Sequence, residues 1–463
     1  MANLFNVIYI VAAVLFLFGA AVFVHELGHF LVARWCGMKV EAFAIGFGPK
    51  IFGWTRNGIE YSWRWIPAGG FVKLPQMMTS EALEGKNAGE KVPAASPWAK
   101  ILVAVAGPFM NVVFAFVIAT LIYFVGLPVL VNPSVIGEVD PDSPEGKLGI
   151  RDGDRIVAIN DQPVKSWQDV IYESATARTN VLAVVIERNG ERKTYHLTTR
   201  TSPAGLKWLN LDPREHPVVG AVESGMPAAK AGLQAGDKVI AVNGVPVPSR
   251  EQMIDIISKS EGKECEVVIN RKGERIAINV VPQYDSQNKR ARIGVVFSEG
   301  VYEVQRPGPG PWVLVNDVVK KTFRVFGALI HSKETGVKAS DLSGPVGILS
   351  MLAASVNADY RLALNFLVLL NINLAIINLL PVPVLDGGHI LLALIEKIRR
   401  RPISARVQEY ATTGFAVLLI SFMLYVTFFD IKRFSLFKAM FNSKPQIEQV
   451  QEPQAPSELP APR

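Results

Sequence analysis

The chain has 463 residues, 49% apolar, 19% charged and 9% aromatic, with a formal net charge of +7 and a mean hydropathy of +0.25. These values exclude a disordered chain, a collagen and a disulfide scaffold, and they argue against a single water-soluble domain, in which about a quarter of residues carry charge. At roughly 100–200 residues per domain, the length accommodates two to four units.

The apolar residues are clustered. No charge occurs from Met1 to Val24, from Ile101 to Gly137, from Leu362 to Leu385 or from Tyr410 to Phe429. Each run can cross a hydrocarbon core of ~30 Å as a helix. The expectation is four transmembrane helices, over 1–36, 101–127, 362–388 and 410–430.

The first run has no Lys or Arg before it and is longer than the ~7–15 apolar residues of a signal peptide, so it reads as a retained span. It ends in His25-Glu26-Leu27-Gly28-His29. On a helix, residues i and i+4 share a face, so both imidazoles can reach one ion, and Glu26 can serve as general base to a metal-bound water. Ionisable residues at bilayer depth cost at least ~2.5 kcal/mol each and usually mark function.

The segment 37–100 follows. Ile59–Ile66 partly alternates after a turn at Arg56-Asn57-Gly58, which predicts a hairpin with Trp63 and Trp65 as interfacial anchors. In span 2, Ala106-Gly107-Pro108-x-x-Asn111 sets small residues where helices pack closely, and it is read as packing rather than chemistry.

Two segments then align without gaps at an offset of 83 residues. Ser143–Ile171 and Met226–Ile254 are identical at 11 of 29 positions, too close a match for chance, so the chain holds tandem domains over 128–204 and 212–288. Short apolar strands, the Gly153-Asp154 and Gly236-Asp237 turns and one helix each resemble PDZ domains in a permuted strand order. Such domains bind peptide C-termini by adding a strand to a sheet edge. Pro307-Gly-Pro-Gly-Pro311 breaks the chain, and 307–361 reads as amphipathic membrane-surface helices, with a helix packed on the second repeat as the alternative.

Span 3 ends in Asn378-Leu-Leu-Pro381-Val-Pro383-Val-Leu385-Asp386-Gly387-Gly388-His389. A catalytic zinc takes three protein ligands plus water. Asp386 is the best third ligand and His389 the runner-up, because spans 2 and 4 have no acid or His before Glu138 and Asp430. Pro381 and Pro383 would break the span and turn Asp386 inward. The segment 389–409 is expected as a loop, and 442–463, rich in Pro, Gln and Glu, as a disordered tail.

Lys and Arg are concentrated in 34–100 and 389–409, so both loops read as cytoplasmic. The termini and the repeats then lie outside. Spans 1 and 3 run in the same direction, which carries His25 and Asp386 to a similar depth near the cytoplasmic face. Cys36 and Cys265 fall on opposite sides and do not pair.

HExxH in the first span, Asn-x-x-Pro-x-Pro-x-Leu-Asp-Gly in the third, and tandem PDZ-like repeats between them resemble the site-2 protease family over nearly the whole chain. The resemblance implies a zinc endopeptidase, with one Zn2+ per chain, that cuts transmembrane segments of other proteins. His25, His29 and Asp386 would hold the metal and Glu26 would be the base. Asn378, Pro381 and Pro383 would help hold the unwound substrate. It also implies a membrane-reentrant β-hairpin within 37–100, whose edge strand would pair with the extended substrate. The fold expected is therefore a membrane protein: a bundle of four transmembrane helices with that hairpin and two periplasmic mixed α/β PDZ domains. The place implied is a bacterial inner membrane. The partners implied are the lipid bilayer and single-span proteins, namely a trimmed anti-sigma factor and signal-peptide remnants. Peptide C-termini would occupy the PDZ grooves, and nucleic acid would have no part. The bulk of the repeats would exclude substrates that retain an outer domain. The rival is a non-proteolytic PDZ scaffold with a structural metal site. Structural zinc is usually closed by four protein ligands, and three are in register here.

Overall fold

The computed structural model describes residues 2–77, 95–130, most of 133–432, and 446–448. The chain forms two compact units, Met1–Leu127 with Arg306–Thr322 and Leu342–Phe437, and Pro128–Gln305 with Phe323–Asp341 and Lys438–Arg463.

The first unit opens with α1, Ala2–Trp35, an unbroken helix about 51 Å long at ~1.5 Å per residue. Its outer face is apolar, with Leu4, Phe5 and Phe16 all more than 60% exposed, a surface suited to lipid. Strands β1 (Ala42–Arg56) and β2 (Ile59–Lys73) form an antiparallel hairpin. Asn57 and Gly58, with φ of 52° and 77°, make the two-residue turn that the sequence signals. β2 then bends back, so Ala42–Ile45 pairs with Glu60–Trp63 on one side and with Gly70–Lys73 on the other. Phe30 of α1 and Phe43 of β1 meet edge to face, 5.4 Å apart, and fix the hairpin base to the helix. Trp54, Trp63 and Trp65 are exposed.

Helix α2, Pro97–Val125, starts with a Ser96 side chain that accepts from Ala99 N, and ends at Gly126. It packs against α1, and against the two helices on either side of the Pro381–Pro383 segment, so it is the hub of this unit. Helix α3 (Pro311–Ile330) belongs to the first unit through Thr322, whose hydroxyl donates to Asn373 Oδ1 at 2.6 Å. There follow α4 (Pro345–Ala358), α5 (Tyr360–Asn378), α6 (Asp386–Arg399) and α7 (Ala405–Lys432). Asp430, fully buried on α7, accepts from Gly344 N and Gly347 N at 3.2 and 2.8 Å, and so satisfies free amides at the start of α4.

By length and composition, five described helical stretches can cross a membrane: Leu4–Trp35, Pro97–Val125, Ala339–Ala358, Tyr360–Asn378 and Arg406–Ile431. The additional one, beyond the four expected, begins as a 3-10 turn at Ala339–Asp341, and α4 itself is only 14 residues long. At about 21 Å, α4 is shorter than the ~30 Å core. The segment 389–409 is not simply a loop, because α6 continues to Arg399. Lys100 Nζ binds Glu396 Oε2 at 2.8 Å, and Lys397 lies 3.7 Å over the Trp98 ring, so α6 is tied to the start of α2. The tail 442–463 lies outside the described residues except for Gln446–Glu448, a strand that pairs in parallel with Val301–Gln305.

The second unit repeats one plan. In the first repeat, Gln162–Pro163, Arg155–Ile159, Val181–Arg188 and Glu191–Thr198 form an antiparallel sheet in that order. Val245–Pro246, Lys238–Val242, Cys265–Arg271 and Glu274–Val280 do so in the second. Helices Trp167–Thr176 and Arg250–Ser258 correspond. Both repeats extend past the expected ends at 204 and 288. Gly137 N donates to Asp212 O and Arg214 N to Val135 O, while Val219–Val222 pairs with Val295–Phe297. In each repeat these closing segments come after the ones that align. Lys207 adds to this closure by donating to the carbonyls of Ala177, Arg178 and Thr179 at 3.1–3.2 Å. Burial holds the Lys207 ammonium pKa below its ordinary value, with Glu334 acting the other way.

The C-terminal half of α3 meets the first repeat. Arg324 pairs with Glu173, donates to Gln162 Oε1 at 3.1 Å and lies over the Tyr172 ring.

Each repeat also carries the same ion pair. Arg188 grips Asp154 with two bonds of 2.6 Å, and Arg271 grips Asp237 with bonds of 2.7 and 2.8 Å. Each arginine also donates to a carbonyl of the preceding turn, Gly149 or Gly232. Asp237 is 1% exposed, so removing its partner strands a buried charge. Arg271→Leu is expected to cost about 3 kcal/mol in urea unfolding of the second repeat, followed by its proteolytic susceptibility. A cost below half a kilocalorie (roughly the surface-substitution range) would show the pair to be dispensable.

Candidate metal centre

The helix period brings His25 and His29 to one face of α1, their rings 4.8 Å apart at 83°. α2 receives both rings. Val103, Gly107 and Asn111 recur at intervals of four on α2 and so share a face. Val103 O accepts from His29 Nδ1 at 2.7 Å. Asn111 Nδ2 is 3.2 Å from His25 Nδ1. Gly107 lies between them, where a Cβ would come within 2.6 Å of His29 Cε1 and 2.8 Å of His25 Cε1. The hole left by that hydrogen is what the imidazoles fill. Gly28 makes a similar close approach, its position for a Cβ 2.8 Å from Ala106 C. The small residues assigned to packing thus form the wall of the centre. Their role was not legible beforehand, because a glycine in a span is equally suited to any close contact.

Asp386 arrives from the other direction. α5 ends at Asn378, and Pro381 and Pro383 supply no N–H to continue it. Residues 379–385 turn through short bonds, Val382 N to Leu380 O at 2.7 Å and Leu385 N to Val382 O at 2.8 Å. Asp386 then opens α6. Gly387 and Gly388 let the new helix press onto this turn, since a Cβ on either would lie 2.5 Å from Leu379 C or Pro383 Cα.

The three side chains converge. His25 Nε2 lies 3.2 Å from His29 Nε2 and 3.3 Å from Asp386 Oδ2, and His29 Nε2 lies 3.4 Å from Asp386 Oδ1. A tetrahedral ion with bonds of about 2.0–2.1 Å separates its ligands by about 3.3 Å, so the spacing fits zinc. Asp386 Oδ2 is buried and has no hydrogen-bond partner, as a metal ligand would. Two imidazoles and a carboxylate are also a donor set that suits zinc. Among the described residues, this trio forms the group of His, Cys, Asp and Glu whose ligand atoms all lie within 4.8 Å of one another. His389, the runner-up, stands three residues along α6 and outside that group.

Glu26 is 8% exposed and packs under the hairpin. A Cβ on Gly70 would be 2.8 Å from Glu26 Cγ and 3.1 Å from Val22 Cγ1, so the Gly70–Lys73 strand passes over the acid at Gly70. Of the residues proposed to hold substrate, Asn378 ends α5, Pro381 is exposed and Pro383 is half-buried, all on the approach to Asp386.

The peptidase family M50 model matches residues 13–422. The chain is 31% identical over 464 aligned residues to "Regulator of sigma E protease" of Salmonella typhi, covering 92% of this chain and 99% of the relative. It is 30% identical to "Regulator of sigma-E protease RseP" of Escherichia coli (strain K12), covering 90% and 96%. It is 31% identical to "Putative zinc metalloprotease" of Vibrio cholerae serotype O1, again covering 90% and 96%. With a family match across the metal centre and relatives aligned almost end to end, the chain belongs to peptidase family M50, the site-2 proteases that its motifs resemble.

Proposed function

We propose that this peptidase is a zinc-dependent enzyme of the bacterial inner membrane that cuts transmembrane segments of single-span proteins. The observation that carries the reading is the convergence of His25, His29 and Asp386 on one point, beside Glu26, at the end of a long apolar helix. One Zn2+ per chain would be held by those three side chains. When bound, it supplies Lewis-acid polarisation of the scissile carbonyl and acidifies a water.

The remaining work falls to the chain. Glu26 takes a proton from the attacking water and returns it to the leaving amine. A helical substrate keeps its carbonyls bonded, so it must unwind before one can react. The Gly70–Lys73 edge, set over Glu26, would bind the unwound segment as an added strand, which also satisfies its backbone within the membrane. Asn378, Pro381 and Pro383 would line the other side. This use gives a reason for a reentrant hairpin there.

The relatives' names support an envelope-stress role, in which the substrate is an anti-sigma factor already trimmed outside; remnant signal peptides are a second class. In the second repeat, a cavity of about 310 Å³ runs between Met253, Ile254 and Ile257 on its helix and the strand residues up to Phe297. A peptide C-terminus fits such a groove in a PDZ domain. The basic loops support a topology with the repeats and termini periplasmic and the metal near the cytoplasmic face.

Purified protein reconstituted with a single-span substrate is expected to cut inside the span, and a chelator is expected to stop the cut. Asp386→Asn should lower zinc content in elemental analysis and remove activity with it. A scaffold would leave the substrate whole, and unchanged zinc in Asp386→Asn would reassign the third ligand.

A further inference from the structure

We propose that Asn111 is the positioning residue of His25: its amide oxygen accepts the Nδ1–H of that imidazole and aims Nε2 at the metal. The inference rests on the zinc reading above and deepens it.

A histidine that binds metal through Nε2 keeps its proton on Nδ1 and needs an acceptor there. His29 has one, the Val103 carbonyl at 2.7 Å. His25 presents Nε2 toward Asp386 in the same way, and the side chain at its Nδ1 is Asn111, 3.2 Å away. With the amide nitrogen facing the ring, His25 would have to accept at Nδ1 and carry its proton on Nε2, pointed at His29 Nε2. That orientation also leaves Asn111 Oδ1 buried without a partner. Turning the amide by 180° exchanges oxygen and nitrogen at almost unchanged positions. The oxygen then takes the Nδ1 proton, and both Nε2 lone pairs face the ligand point.

Burial supports the assignment independently. Asn111 is 0% exposed within an apolar helix, where an amide without a partner is costly. It also lies two turns from Val103 on the same face of α2, so one helix orients both histidines.

The test uses the full chain in detergent, with zinc affinity read by competition against a chromophoric chelator and the site's geometry read from the cobalt-substituted absorption spectrum. Asn111→Leu keeps the volume and removes the acceptor, and is expected to weaken zinc binding about 10–100-fold and alter the cobalt spectrum. Asn111→Asp keeps an oxygen acceptor and is expected to stay close to wild type in both. His25→Ala serves as the reference for loss of a ligand. If Asn111→Leu binds as wild type while His25→Ala does not, the positioning role is overturned and the metal centre stands. Equal losses in the Leu and Asp variants would assign Asn111 to packing and overturn the proposal as well. If His25→Ala itself binds zinc as wild type does, the zinc reading fails first.

Discussion

Glu26→Gln is expected to retain zinc at the wild-type level and to cut no substrate. Gln matches Glu in size and can fill the same buried space under Gly70, so the fold and the neighbouring histidines have no reason to move. What it lacks is the ability to take a proton. General-base catalysis contributes about a hundredfold to ten-thousandfold, and in the proposed mechanism the same group also returns the proton to the leaving amine. Cleavage of a reconstituted single-span substrate and elemental analysis of the same preparation give the two readouts. Activity within tenfold of wild type would remove Glu26 from the mechanism. Loss of zinc together with activity would instead make Glu26 part of the metal's own support.

The second large effect comes from a residue with no side chain. Gly107→Val should abolish zinc binding and activity together, because its Cβ must occupy the space of His29 Cε1 and His25 Cε1 at once. Neither ring can retreat easily. His29 is fixed to Val103 O from the same helix, and α2 is held between α1, α5 and α6. Close-packed interiors accept an added methyl group only by shifting side chains or backbone. Gly19→Ala on α1 is the contrast, since nothing lies within 4 Å of its Cβ position. There the change should be neutral or stabilise the helix by about 0.5–1 kcal/mol. Wild-type zinc content in Gly107→Val would mean that α2 does not form the wall described.

Much of this candidate centre could be read from the sequence, and what could not has a physical reason. His25 and His29 were legible because helical period alone joins residues four apart, and Glu26 as the acid adjacent to the first of them. Asp386 was legible by elimination and through Pro381 and Pro383, which announce a break in a span. Gly107 and Asn111 were visible but not interpretable, since periodicity does not say which neighbour a helix face meets. The repeats were legible as a duplication. Their extension to Arg214 and Phe297 was not, because the closing strands lie beyond the aligned residues and pair back across the domain. The helical course of α6 was masked by its charges, which read as a loop until Glu396 is seen paired with Lys100.

The two histidines and the aspartate also have a meaning for assembly of the chain. Residues 30 to 385 lie between His29 and Asp386, so an ion held as proposed would close a very long loop and join the first membrane helix to a segment made much later. An ion that binds only the assembled state stabilises it by mass action, about 2.7 kcal/mol at a free concentration one hundred times its dissociation constant. Metal supply would then act as a checkpoint on maturation: a copy whose late helices failed to dock would hold no complete ligand set, and so would be inert rather than an unregulated protease.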